Sequence, residues 1–190
     1  LVGSEMCIRD RYGFVIWDRE KKKMFGARDI FGIKPFYYAQ MNGSFLFGSE
    51  IKSFVEHPKF DKVFNEEALG NYLSFQFVPT NETFFKGVYC LQPGHYFTYE
   101  DGKLEVTRYF EPNFTGDTDK SFDEVVDEIE KVMKESVEMH KISDVEVGSY
   151  LSSGVDSSYM AYLGQVDRTF TVGFGAVSYT HLRAHETRGN

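Results

Sequence analysis

Between Val145 and Gly164 the chain reads V-E-V-G-S-Y-L-S-S-G-V-D-S-S-Y-M-A-Y-L-G, and this stretch leaves few folds open. Val145, Val147, Tyr150 and Leu151 form an apolar run of the length of a buried strand, and Tyr159 to Leu163 continue the chain as a helix. A turn of small residues, Ser152 to Ser158, joins the two. Where a strand passes through such a turn into a helix, backbone N–H groups and the positive end of the helix dipole converge on one concavity that suits an anion. The serine hydroxyls add donors. The turn has neither the spacing nor the lysine of a G-x-x-x-x-G-K-[ST] loop, so it reads as a pyrophosphate cradle rather than a site for passing on a terminal phosphate. An ordinary serine-rich strand-to-helix turn is the plainer alternative.

The order of elements around the turn sets the class of sheet. Glu111 to Lys120 is polar, carries Pro112 and Gly116 and lacks periodicity, as a linker between domains would. Ser121 and Glu124 then have capping-box spacing, and Phe122, Val125, Val126, Ile129, Val132, Met133 and Val137 recur at helical intervals. The predicted helix ends near His140 and Lys141, whose charges suit the negative end of the dipole. Phe170 to Phe174 is a second short apolar strand. Helix, strand, helix, strand implies a parallel sheet, with its ligand site beyond the carboxyl ends of the strands, at Ser152 and just past Phe174.

The first part of the chain has the period of strands. Tyr12 to Trp17 and Met24 to Ala27 predict a hairpin, Arg28 to Pro35 a bend, and Phe36 to Ala39 with Phe45 to Phe47 a second hairpin closed by Asn42-Gly43. Four strands so close together predict one antiparallel sheet. A short helix over 49–55, capped by Ser49, and a second from Asn65, with Leu69, Tyr72 and Leu73 on one face, should follow. His95 to Tyr99 and Leu104 to Tyr109 form a last hairpin around Asp101-Gly102.

Composition closes off other classes. The net charge of −8 argues against nucleic acid as the main partner. No run of apolar residues is long enough to span a membrane and no signal peptide is evident, so a cytoplasmic setting is expected. Cys7 and Cys90 make no framework and no C-x-x-C, which suits a reducing compartment. Residues 1–11 and 176–190 break register with the interior and read as artefactual tails. His181 and His185 have the spacing of a metal pair but fall in the second tail and lack the glutamate of H-E-x-x-H, so no metal is expected there.

Taken together these segments resemble a known family. S-S-G-V-D-S-S resembles the S-G-G-x-D-S-S loop of the ATP pyrophosphatases, with Ser153 where a second glycine is usual. F-V-I-W-D, A-R-D-I-F-G-I-K-P-F-Y-Y, G-S-E-I-K-S-F, L-Q-P-G-H-Y, the loop itself and F-T-V-G-F are, in order, similar to landmarks of the glutamine-hydrolysing asparagine synthetases. The resemblance implies an α+β and then α/β chain. Residues 12–110 would be part of an antiparallel-sheet N-terminal-nucleophile glutaminase domain, 111–120 the linker, and 121–175 the start of a parallel-sheet ATP pyrophosphatase domain.

In that family ammonia from glutamine displaces AMP from a β-aspartyl adenylate to give asparagine; ATP is consumed to AMP and pyrophosphate, and Mg²⁺ offsets charge on the departing pyrophosphate. By position, Ser152, Ser153, Gly154 and Ser157 would hold pyrophosphate, Asp156 would bind Mg²⁺, and Leu151 and Val172 would contact the adenosine. On residue type alone, Asp156 reads equally as a helix cap and Leu151 and Val172 as core. Cys7 is followed by Ile-Arg-Asp-Arg instead of Gly, so no catalytic residue is assigned, and the expectation is a fragment inactive by itself. Cys90 reads as a small core residue, and Arg28, Asp29, Lys34, Glu50 and Lys52 as structural pairs or a domain interface. A homo-oligomer is left open. Two alternatives stand: a β-lactam synthetase or peptide cyclase, which would close a ring without ammonia, and a nucleotide-binding module that performs no chemistry.

Overall fold

The structure is a computed structural model and describes residues 11–114, 116 and 119–173. Cys7, Phe174, His181, His185 and the segment 176–190 lie outside the described residues, as do residues 1–10. The chain divides into two compact units, Leu1–Phe114 and Thr115–Asn190.

The first unit holds two antiparallel sheets. Strands β1 (Gly13–Asp18) and β2 (Lys23–Arg28) join β6 (His95–Glu100) and β7 (Lys103–Arg108) in the order β1-β2-β6-β7. Strands β3 (Tyr37–Met41) and β4 (Ser44–Gly48) join β5 (Val88–Cys90) in the order β4-β3-β5. Two of the turns follow from local sequence. Asn42 and Gly43 have φ of 48° and 73°, and Asp101 and Gly102 have 49° and 79°, the paired positive angles that match the twist of a tight hairpin.

The four strands before residue 50 therefore belong to two sheets, not to the single one their spacing suggests. The bend after β2 makes the difference. Asp29, with 0% of its surface exposed, folds the bend around its carboxylate, which accepts the N–H groups of Phe31 at 3.2 Å, Ile33 at 2.9 Å and Lys34 at 2.9 Å. The Arg28 guanidinium donates to the carbonyls of Gly32 at 2.6 Å, Lys34 at 2.7 Å and Leu91 at 2.6 Å. The chain leaves β2 on one sheet and begins β3 on the other.

Both faces of the second sheet are covered, and the period of two sorts the side chains between them. Tyr38, Phe45, Phe47 and Tyr89 pack with Phe36, Leu91 and Phe97 and so meet Val15, Met24, Tyr99 and Leu104 of the first sheet. Ala39, Leu46 and Val88 pack with Phe54, Phe60 and Phe85 on the other side. Phe54 lies on α1 (Lys52–Val55), a single turn capped by Ile51 with no side-chain bond, so Ser49 is not its cap. The Glu50 carbonyl instead accepts the Ser53 hydroxyl at 2.7 Å and the Ser53 N–H at 3.1 Å. Helix α2 (Glu66–Phe75) is capped as its sequence predicts, the Asn65 side chain accepting the Ala68 N–H. Ala68 alone of its residues is buried, and Leu69, Tyr72 and Leu73 are exposed.

In the second unit α3 (Phe122–His140) begins in a full capping box and leads through β8 (Ser149–Tyr150) to α4 (Val155–Gly164) and β9 (Thr169–Phe170). Strands β8 and β9 pair in parallel, Ser149 opposite Thr169 and Tyr150 opposite Phe170. Val137 of α3 and Leu163 of α4 are the buried apolar side chains of this unit among the described residues. The expected buried strand is thus shorter and more open than its apolar run implies: Val145 and Val147 precede it, and Tyr150 is 80% exposed. A parallel strand is buried on both faces only where helices cover both, and Tyr150 projects to the side opposite Ser149 and Leu151.

Candidate functional site

The serine-rich turn expected to cradle an anion is built by the end of β8 and the head of α4. Leu151 extends the ladder past β8, its N–H donating to the Phe170 carbonyl at 2.9 Å. Ser153 then takes a φ of 63°, in the left-handed region, and turns the chain back towards the helix. Glycine enters that region without a steric penalty and serine does not, so the residue usual at this place in the loop is also the one the backbone favours. Gly154, by contrast, is the helix cap at φ −79° and ψ 157°, which any residue adopts.

Three hydroxyls tie the turn together. The Ser157 Oγ accepts the Ser152 N–H at 3.2 Å, lies 3.1 Å from the Ser152 Oγ, and donates to the Gly154 carbonyl at 3.0 Å. The Ser158 Oγ donates to the same carbonyl at 2.9 Å. Ser158 was absent from the residues predicted to hold the anion, and its bond follows the habit of a serine in a first helical turn of returning to the carbonyl four residues back. Gly154 supplies no side chain to cap α4. A Cβ placed on it would lie 3.6 Å from the Ser152 Oγ and 3.9 Å from the Ser157 Oγ, so the glycine leaves space beside two hydroxyls at the positive end of a helix.

Leu151, Ser152, Ser153, Gly154, Asp156 and Ser157 thus fall on one turn, and Val172 lies two residues beyond the end of the neighbouring parallel strand. Asp156 is not the cap of α4: it stands in the first turn, exposed, where the dipole favours a carboxylate. Val172 is 70% exposed, which removes the reading of it as core, and Leu151 is half-buried. Thr171, which the sequence did not mark, donates its hydroxyl to the Leu151 carbonyl at 2.9 Å and joins the two strand ends. Nothing in a lone threonine beside a strand end signals that role.

If the turn holds phosphate, the Asp156 carboxylate beside it is a donor set that fits Mg²⁺, which binds through one or two carboxylates together with phosphate oxygens and water. Among the described residues there is no group of three or more His, Cys, Asp or Glu that could hold a metal without such a partner.

The motif residues of the first unit have structural partners. Arg28 and Asp29 build the bend after β2, and Lys52 pairs with Glu50 at 2.6 Å on the surface. The bond from Glu50 holds the Lys52 ammonium above the ordinary lysine range. Cys90 is half-buried at the end of β5, its Sγ accepting from the Arg28 guanidinium at 3.1 Å. Among the described residues no helix is long and apolar enough to cross a membrane.

Comparison with known proteins finds similarity across most of the chain. A family model described as glutamine amidotransferase domain matches residues 4–110, and one described as asparagine synthase matches residues 128–187. The chain is 39% identical over 180 residues to asparagine synthetase [glutamine-hydrolyzing] 1 of Bacillus subtilis, an alignment covering 92% of this chain and 28% of that protein. It is 35% identical over 189 residues to a putative asparagine synthetase [glutamine-hydrolyzing] of Mycobacterium bovis, over 92% of this chain and 28% of the relative. To amidase chyE of Penicillium rubens it is 32% identical over 158 residues, 81% of this chain and 23% of that protein. The chain therefore spans at most 28% of the length of these relatives.

Proposed function

The chain belongs to the glutamine amidotransferase domain family, in the form found in glutamine-hydrolysing asparagine synthetases, and from that premise we propose that its second unit opens an ATP pyrophosphatase domain serving amide synthesis. In this reading the β-carboxylate of aspartate attacks the α-phosphorus of ATP. The bond to the bridging oxygen breaks, pyrophosphate leaves, and a β-aspartyl adenylate remains. Ammonia released from glutamine then attacks the activated carbonyl and expels AMP, giving asparagine. Adenylation makes sense of a cradle shaped for the leaving diphosphate, since the negative charge that develops there meets preorganised donors.

The observation that carries the reading is the open space over Gly154, flanked by the Ser152 and Ser157 hydroxyls at the uncapped head of α4. Ser152, Ser153, Gly154 and Ser157 would hold the pyrophosphate, with hydroxyls and backbone N–H groups as donors. Asp156 would hold Mg²⁺, which offsets charge on the departing group. Leu151 and Val172, at the ends of parallel neighbours, would meet the adenosine. The first unit would supply the scaffold for glutamine hydrolysis, and the setting would be the cytoplasm, with aspartate, glutamine and ATP as the partners.

The test is product analysis on the protein that carries this chain, given Mg²⁺, ATP, aspartate and glutamine. AMP and pyrophosphate should appear in step with asparagine. Formation of ADP and phosphate would overturn the reading, and AMP formed without any dependence on glutamine or ammonia would favour a ring-closing relative.

A further inference from the structure

The parallel pair of the second unit ends on a side chain rather than on a backbone rung. The Ser149 N–H donates to the Arg168 carbonyl at 3.0 Å and the Leu151 N–H to the Phe170 carbonyl at 2.9 Å. In an evenly spaced parallel ladder the next rung would run from the Val172 N–H to the Leu151 carbonyl. That carbonyl accepts the Thr171 Oγ1 hydroxyl at 2.9 Å instead. Among the described residues the Val172 N–H has no hydrogen-bond partner, and Val172 is exposed.

We propose that Thr171 is a positioning residue for the nucleobase: its bond to the Leu151 carbonyl ties the two strand ends together and so holds the Val172 N–H, unpaired among the described residues, where it can donate to a ring nitrogen of a purine. The inference rests on the reading that Leu151 and Val172 meet the adenosine, and it adds the residue that prepares them. The hydroxyl fixes the two strand ends against each other, in an arrangement that meets the Leu151 carbonyl with a side chain and leaves the Val172 N–H open. A bound base is then recognised by backbone that is already spaced and unpaired, so less ordering is needed on binding. The pyrophosphate cradle lies on the other side of Leu151 and uses neither group.

The experiment compares ATP and inorganic pyrophosphate, each with Mg²⁺, binding to the 190-residue chain and its variants by calorimetry. Thr171→Val keeps the shape and removes the hydroxyl. It should weaken ATP about tenfold, the worth of one positioned hydrogen bond, and leave pyrophosphate unchanged. Thr171→Ser, which restores the hydroxyl, should return ATP affinity to within about twofold of the parent. A loss of fold would lower both ligands together, and that outcome overturns the positioning role, as does equal ATP affinity in parent and Thr171→Val. If the parent binds pyrophosphate but not ATP, the adenosine reading fails with it. If the parent binds neither, the pyrophosphate reading itself fails.

Discussion

Phe97 lies against Gly26 across the β2–β6 pair, and the ring occupies the space a side chain at residue 26 would need. The two are register partners, Phe97 is fully buried, and a Cβ on Gly26 would come within 2.6 Å of the Phe97 Cζ. The ring also packs on Phe36 and Phe45, at centroid distances of 5.7 Å and 5.3 Å, so it joins the two sheets of the first unit. Gly26→Ala should therefore destabilise this unit by about 2 kcal/mol, the usual cost of overpacking a core that cannot give way. Urea unfolding followed by aromatic fluorescence would register it, and a variant as stable as the parent would mean that the sheets are not held by this contact.

The Asp29 carboxylate takes three backbone N–H groups in a buried bend, so its removal leaves donors without acceptors. Asp29→Ala should cost about 3 kcal/mol or more, because each unsatisfied buried donor carries a desolvation penalty of its own. Asp29→Asn keeps the volume yet presents an N–H₂ group to at least one of those N–H donors, and should fall between the two. Chemical denaturation of the three proteins gives the order. Equal losses for Asn and Ala would show that the charge, not the count of acceptors, holds the bend.

The head of α3 should respond to acid. Glu124 accepts the Ser121 N–H and the Ser121 hydroxyl, both at 2.8 Å, while the Ser121 Oγ accepts the Glu124 N–H at 3.3 Å. The bond from the Ser121 backbone holds the Glu124 carboxyl below the ordinary glutamate range. A carboxyl whose folded value is depressed contributes stability above its unfolded value and loses it as the pH falls through the folded one. Between neutral pH and the unfolded glutamate value the box should be intact, and it should loosen progressively below that. Carbon-detected titration of Glu124, with amide exchange at Ser121, measures both. An undepressed midpoint would mean that the box does not form in solution.

How much of this could be read beforehand depended on how local the cause was. The Asn42-Gly43 and Asp101-Gly102 turns, the Asn65 cap and the Ser121-Glu124 box are settled within four residues, and each was legible. The split of the first four strands into two sheets was not. It depends on β2 pairing with β6 and β3 with β5, partners more than forty residues away, and on a bend whose organising group is one aspartate. Periodicity put Leu69, Tyr72 and Leu73 on one face of α2 and gave the run that ends in β8 without saying what would cover them; Leu73 is exposed, and Tyr150, in a run of the length of a buried strand, is exposed too. In the candidate site the serines and glycine followed from the turn they make. Thr171 did not, because its role comes from a strand that meets it only in the folded chain.

Ser153 and Gly154 make the sharpest test of the cradle, because their backbones and their neighbours ask for opposite things. Ser153 sits at a φ of 63°, and glycine there relieves a left-handed strain at the cost of a looser unfolded chain. Ser153→Gly should leave stability unchanged or raise it by about 0.5 kcal/mol. Gly154 has an ordinary φ of −79°, so Gly154→Ala should fold as well as the parent. Its new methyl, however, would stand 3.6 Å from the Ser152 Oγ, where a phosphate oxygen is proposed to bind. Pyrophosphate affinity should then drop by about tenfold or more, the loss expected when a methyl blocks one charge-assisted hydrogen bond. Thermal unfolding and pyrophosphate titration of the two variants separate the cases. If Gly154→Ala binds pyrophosphate as the parent does, the anion does not lie over the head of α4, whatever the serines around it suggest.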